Sequence, residues 1–125
     1  MSKPFTSGRV VLLLEDEALI ALNLQEELQD AGFSIGGPFT NCTDALSWLA
    51  TNTPDVAVLD TVLKDTHCSD VARELAGRKV PFLIYSGHRE DRELLAEFHH
   101  VRWIEKPVSP PVLIKECKQL LVSAD

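Results

Sequence analysis

The sequence predicts a doubly wound α/β domain, a five-stranded parallel sheet of order 2-1-3-4-5 with helices on both faces. Three observations predict it. Short apolar runs recur that do not alternate with polar residues, as in Val10–Leu14 and Val56–Leu59, which is the pattern of strands covered on both faces. Longer segments with helical periodicity separate them, and strands alternating with helices imply a parallel sheet. Right-handed crossovers then leave few topologies, of which 2-1-3-4-5 leads.

The first strand is Val10–Leu14. A helix is expected from Glu17 to about Ala31, with Ile20, Leu24, Leu28 and Ala31 on one face. Gly32 stands where a helix end favours a left-handed residue. A short strand, Phe33–Ile35, is expected to break at Gly36, Gly37 and Pro38. A second helix spans Thr43–Thr51, turning Ala45, Trp48 and Leu49 inward, with Asn41 or Thr43 as its cap. Val56–Leu59 is the third strand and ends in Asp60. Thr61–Asp65 reads as a loop. Ser69–Ala76 forms a short helix with Val71, Ala72 and Leu75 on one side and Gly77 at its end. Phe82–Tyr85 is the fourth strand, closed by Ser86 and Gly87. Arg89–Phe98 is charge-rich, with Leu94, Leu95 and Phe98 as its apolar anchors, and a short or mobile fourth helix is expected there. Val101–Ile104 is the last strand. Pro110 and Pro111 suit the first turn of a final helix, which buries Leu113 or Ile114, then Cys117, Leu120 and Leu121.

With 125 residues, the chain is sized for one domain. We expect a flexible segment over 1–8, the domain over 9–122 and a C-terminal tail over 123–125. Apolar residues make up 45% of the chain, enough to build a core. A net charge of −7 repels phosphate backbones, so nucleic acid is not an expected partner. Cys42, Cys68 and Cys117 are odd in number and form no CxxC, which fits reduced thiols. No signal peptide is visible, and Val10–Leu14, the longest apolar run, is far too short to span a bilayer. A cytoplasmic location with no membrane partner is expected.

In a sheet of this order, ligands bind beyond the carboxyl ends of the strands, at the switch point between the first and third. The first strand ends in Glu15, Asp16 and Glu17, the third in Asp60 and the fourth in Ser86; Lys106 and Pro107 follow the fifth. Carboxylates gathered in one pocket repel one another and call for a compensating cation. A hard ion with oxygen ligands, Mg²⁺ (or Mn²⁺), suits one or two carboxylates, waters and a phosphate. Lys106 adds a point charge and Ser86 a small hydroxyl. Asp60 is then an oxygen nucleophile able to form an aspartyl phosphate. Each residue alone is an ordinary polar strand end. His99 and His100 do not face one site on a helix, and Gly36-Gly37 lacks a nucleotide-binding pattern.

These positions, in VLLLEDE, DVAVLD, FLIYSG and WIEKP, resemble the receiver domain of bacterial response regulators, the CheY-like class with a flavodoxin-like fold. The likeness runs from about Arg9 to Leu121. It implies that Asp60 accepts the phosphoryl group. It further implies that Asp16, Asp60 and the backbone carbonyl of Val62 hold Mg²⁺, with Glu15 acting through water. Ser86 and Lys106 contact the phosphate, and the Lys106–Pro107 bond is cis. Ser86 and Trp103 form the switch pair, although Trp103 stands where Tyr or Phe is usual; its plain alternative is a half-buried edge aromatic. Val62 and His88 occupy the positions that tune phosphoryl lifetime. Val62 cannot orient a hydrolytic water, and His88 either orients one or covers the pocket. PFLIYSGH resembles a subgroup that partners histidine kinases of the HWE class.

The resemblance implies a sensor histidine kinase as donor. It implies a downstream protein or phosphotransferase as recipient, or a role as phosphate sink. The expected state is a monomer, or a weak dimer through the face of the fourth helix, fifth strand and fifth helix. The last helix ends near Val122; a full-length chain would signal by protein contact, whereas a piece of a larger regulator could serve any output. The competing readings are a haloacid-dehalogenase-type phosphatase, which would need a DxD where Glu15-Asp16-Glu17 stands, and a pseudo-receiver that binds partners without phosphorylation.

Overall fold

The computed structural model describes residues 6–60, 69–87 and 101–124, apart from the side chains of Ser86 and Ala124. The strands are β1 (Val10–Leu14), β2 (Ser34–Phe39), β3 (Val56–Asp60), β4 (Phe82–Ser86) and β5 (Arg102–Glu105). They form one parallel sheet of order β2-β1-β3-β4-β5. Four helices lie among the described residues: α1 (Ala18–Asp30), α2 (Cys42–Leu49), α3 (Ser69–Gly77) and α4 (Pro110–Ala124). The helix expected over Arg89–Phe98 and the loop Thr61–Asp65 fall outside the described residues.

Strand alternation divides the core in two. Leu12, Leu14, Ala57, Leu59, Phe82, Ile84 and Trp103 pack with α2 and α3 on one face. Val11, Leu13, Val56, Val58, Leu83 and Tyr85 pack with α1 and α4 on the other. β1 and β3, both inside the sheet, are buried on both faces, which is why their sequences run apolar without alternation.

β2 departs from expectation. It does not stop at Ile35 but runs through Gly36, Gly37 and Pro38 to Phe39. As an edge strand it pairs with β1 alone, so a proline is tolerated. Its register slips between Leu12↔Gly36 and Leu14↔Phe39, which accommodates one extra residue as a bulge. Gly37 has φ +103°, and a Cβ there would meet the Phe39 nitrogen at 2.7 Å. Gly36 leaves room for the Trp48 ring; a Cβ would stand 2.6 Å from Cζ2. The glycines therefore shape the strand rather than end it.

Helix ends follow local chemistry. Gly32 takes φ +105° after α1. Asn41, not Thr43, caps α2: its Oδ1 accepts from the Asp44 N–H at 2.8 Å, and its amide donates back to the Asp44 carboxylate at 3.0 Å. After α3 the left-handed residue is Lys79, at φ +58°, rather than Gly77. The neighbouring Arg78 donates to the carbonyls of Leu49 (2.7 Å) and Asn52 (2.9 Å), tying the end of α3 to the end of α2. In the segment expected to be flexible, residues 6–8 form a turn, and the buried Thr6 hydroxyl donates to the Ala31 carbonyl. No helix among the described residues is long and apolar enough to cross a membrane.

Candidate functional site

The carboxyl ends of β1, β3 and β5 bring together four side chains from three distant parts of the chain. Asp60 ends β3 on the face that carries Val56 and Val58. Glu15 and Asp16 follow β1, and Lys106 follows β5. Glu15 is fully buried, Asp60 is buried and Asp16 is half-buried. One oxygen from each of Glu15, Asp16 and Asp60 fits within 4.8 Å. Lys106 Nζ stands 3.0 Å from Asp60 Oδ2 and 3.1 Å from Glu15 Oε1.

The electrostatics follow from burial. Burial pushes the Asp60 carboxyl up to about 6; Lys106 opposes the rise and the Glu15 charge adds to it. Burial also works to raise Glu15, but hydrogen bonds from the Glu17 N–H (3.1 Å), Lys106 and Tyr85 outweigh it and hold this carboxyl below its ordinary value. Burial works against the Lys106 charge, yet its bonds to Asp60 and Glu15 keep the ammonium above the usual lysine range. Glu15 and Asp60 thus share Lys106, with Asp16 beside them, and of the two carboxylates that share it Asp60 is the less comfortable as an anion. An all-oxygen donor set with excess negative charge suits a hard divalent cation such as Mg²⁺.

The family model described as the response regulator receiver domain matches residues 11–118. The chain belongs to this family. Transcriptional regulatory protein PdtaR of Mycobacterium tuberculosis (strain ATCC 25618 / H37Rv) is 29% identical over 87 residues, which are 70% of this chain and 42% of that protein. The receiver chain therefore spans less than half the length of that curated relative. Among solved structures, a response regulator receiver protein from Sinorhizobium medicae WSM419 is 26% identical with a TM-score of 0.83, covering 94% of this chain and 97% of that one. A CheY-like receiver domain protein from Methanospirillum hungatei JF-1 has a TM-score of 0.82 over 93% of this chain and 95% of its own; at 18% identity it speaks to the fold alone.

Within this receiver domain, Glu15, Asp16, Asp60 and Lys106 converge. The Lys106–Pro107 bond is cis, as is Gly37–Pro38. Ser86 ends β4 opposite Glu105. Trp103 is not a half-buried edge aromatic: it is 7% exposed and packs with Ile84 and Phe82 on the α2–α3 face, away from the carboxylates. Val62 and His88 lie outside the described residues.

Tyr85 and the Glu17 backbone were not among the expected site residues. The Tyr85 hydroxyl donates to Glu15 Oε1 at 3.0 Å, and Lys106 Nζ sits 4.6 Å from the centre of its ring. The signal available for Tyr85 is its place two residues after Leu83 in FLIYSG, which alternation points to the same face of the sheet. A groove of about 270 Å³, lined by Leu19, Ile20, Tyr85, Lys106 and Pro107, adjoins the site.

Proposed function

We propose that this receiver domain accepts a phosphoryl group on Asp60 from the phosphohistidine of a sensor histidine kinase, as a step in two-component signalling. The observation that carries the reading is the buried Asp60 carboxylate, 3.0 Å from Lys106 and clustered with Glu15 and Asp16. An Asp60 oxygen attacks phosphorus and forms the new P–O bond. The P–N bond to the donor imidazole breaks, and its electron pair stays on the imidazole nitrogen. The reactive carboxylate is the deprotonated one, so this step favours pH above about 6. The Lys106 ammonium neutralises charge on the phosphoryl oxygens. Bound Mg²⁺ (or Mn²⁺), held by Asp16, Asp60 and the Val62 carbonyl and by Glu15 through water, would supply further charge neutralisation.

The same reading gives Ser86 and Lys106 the phosphate contacts, Ser86 and Trp103 the switch, and Val62 and His88 the control of phosphoryl lifetime. The receiver boundaries are set at 9–122 and the location is cytoplasmic. The motif PFLIYSGH favours a kinase of the HWE class. The recipient is a downstream protein or phosphotransferase.

The test is intact mass after incubation with Mg²⁺ and acetyl phosphate, or with the kinase. A gain of one phosphoryl group, labile to hydroxylamine and absent from Asp60→Asn, is expected. No gain from either donor would overturn the reading and leave a pseudo-receiver that acts by contact alone.

A further inference from the structure

Tyr85 sits where β4 lies beside both neighbouring strands, opposite Asp60 on one side and Ile104 on the other. Its side chain is buried against the α1–α4 face of the sheet. A buried phenol hydroxyl needs a partner, and this one donates to Glu15 Oε1 at 3.0 Å. Glu15 is itself fully buried, so its charge depends on protein donors: the Glu17 N–H, Lys106 and Tyr85. Lys106 also serves Asp60. When Lys106 turns toward a phosphoryl oxygen, the remaining donors must keep Glu15 paired. An unpaired buried carboxylate is costly and would either shift or take a proton.

We infer that Tyr85 is a positioning residue of the phosphorylation site. Its hydroxyl fixes Glu15 in the orientation that supports the divalent cation, and its ring face seats the Lys106 ammonium. The inference rests on the proposed function above. Two contacts of one side chain with two site groups carry it, and they are separable by chemistry. Tyr85→Phe removes the hydroxyl and keeps the ring under Lys106. Tyr85→Leu removes both.

The experiment has two arms. In the first, Mg²⁺ is titrated calorimetrically into wild type, Tyr85→Phe and Tyr85→Leu without a phosphodonor. Tyr85→Phe is expected to weaken Mg²⁺ binding about tenfold, the effect typical of losing a partner that orients a ligand. In the second arm, acetyl phosphate is added at saturating Mg²⁺. Here Tyr85→Phe should fall less than Tyr85→Leu, and equal rates of the two variants would overturn the role of the ring. A merely structural role would lower the unfolding midpoint and leave the Mg²⁺ affinity unmoved; that result overturns the inference. If a variant does not fold, ¹³C NMR of the Tyr85 ring in wild type replaces it. A ζ-carbon resonance that moves on Mg²⁺ binding supports the coupling, and one that stays fixed overturns it. Failure of the underlying reading looks different, because wild type would then not be phosphorylated on Asp60 whatever the affinities.

Discussion

Lys106 bridges Glu15 and Asp60, with its ammonium 3.1 Å from one carboxylate and 3.0 Å from the other. Both carboxylates are buried, and Lys106 offsets part of the charge of each. Lys106→Ala is therefore expected to act on stability and chemistry together. Breaking a buried pair from one side costs about 3 kcal/mol. Urea unfolding at pH 7.5 checks the loss, and acidification toward pH 5 should recover part of it by protonating Asp60. Asp60 phosphorylation by acetyl phosphate should slow at least about tenfold.

The pH dependence of folding without Mg²⁺ follows from Asp60. Its folded pKa, about 6, lies above the ordinary 3.8 of an aspartate, raised chiefly by burial. The protonated form is thus favoured by folding, and this contribution is fully present below pH 3.8 and lost as pH rises through 6. The total is ~3 kcal/mol, of which ~1 kcal/mol disappears between pH 5 and pH 7.5. Glu15 runs the other way: its lowered pKa contributes stability above 4.5 that is lost only in stronger acid, so it is constant in this window. Urea midpoints of wild type in EDTA should fall across it, and those of Asp60→Asn should show a shallower fall. Equal slopes would contradict the assignment.

Mg²⁺ should reverse the Asp60 penalty. An ion that binds the folded state alone at a hundred times its Kd adds about 2.7 kcal/mol. The unfolding midpoint of wild type should rise with Mg²⁺ and return with EDTA. Asp16→Asn removes one of the three clustered carboxylates and should lose most of that rise. An equal rise in Asp16→Asn would place the ion elsewhere.

Arg78 gives a prediction remote from the site. Its guanidinium reaches the Leu49 and Asn52 carbonyls and the Glu74 carboxylate. The exposed ion pair with Glu74 contributes little, whereas the charged donors to carbonyls at the end of α2 contribute ~1–2 kcal/mol. Arg78→Ala should lose that amount while Glu74→Gln stays within ~0.5 kcal/mol of wild type. Neither should alter the phosphorylation rate.

Gly36→Ala probes the seat of Trp48. A methyl 2.6 Å from the Trp48 ring forces the ring or β2 to move, at a cost of ~1–3 kcal/mol. Thermal unfolding reads the loss, and Trp fluorescence reads the displaced ring. An unperturbed variant would mean that the ring has space elsewhere.

The parts of the fold legible in the sequence were those in which one signal dominates. Val10–Leu14 and Val56–Asp60 are buried on both faces, so their apolar runs announced central strands. β2 was cut short at Gly36 because glycine and proline ordinarily punctuate strands. At an edge they can instead form a bulge and admit an aromatic ring, and only the packing of Trp48 shows which. Lys79 was unreadable for a similar reason: a left-handed lysine leaves no mark in composition. At the site, the carboxylates and Lys106 were visible because they interrupt apolar runs at strand ends. Tyr85 was not, since within FLIYSG it reads as one more strand-forming aromatic until the register sets its hydroxyl against Glu15.

The Lys106–Glu15 contact joins residues 91 positions apart, and Lys106 hangs from β5, a four-residue strand at the edge of the sheet. Edge strands are held from one side and open more readily than those inside. An opening of β5 would carry the ammonium away from Glu15 and Asp60 together. On the proposed function, phosphoryl acceptance would then require that the last strand be in place beside β4, so that the site would report the completion of its own scaffold.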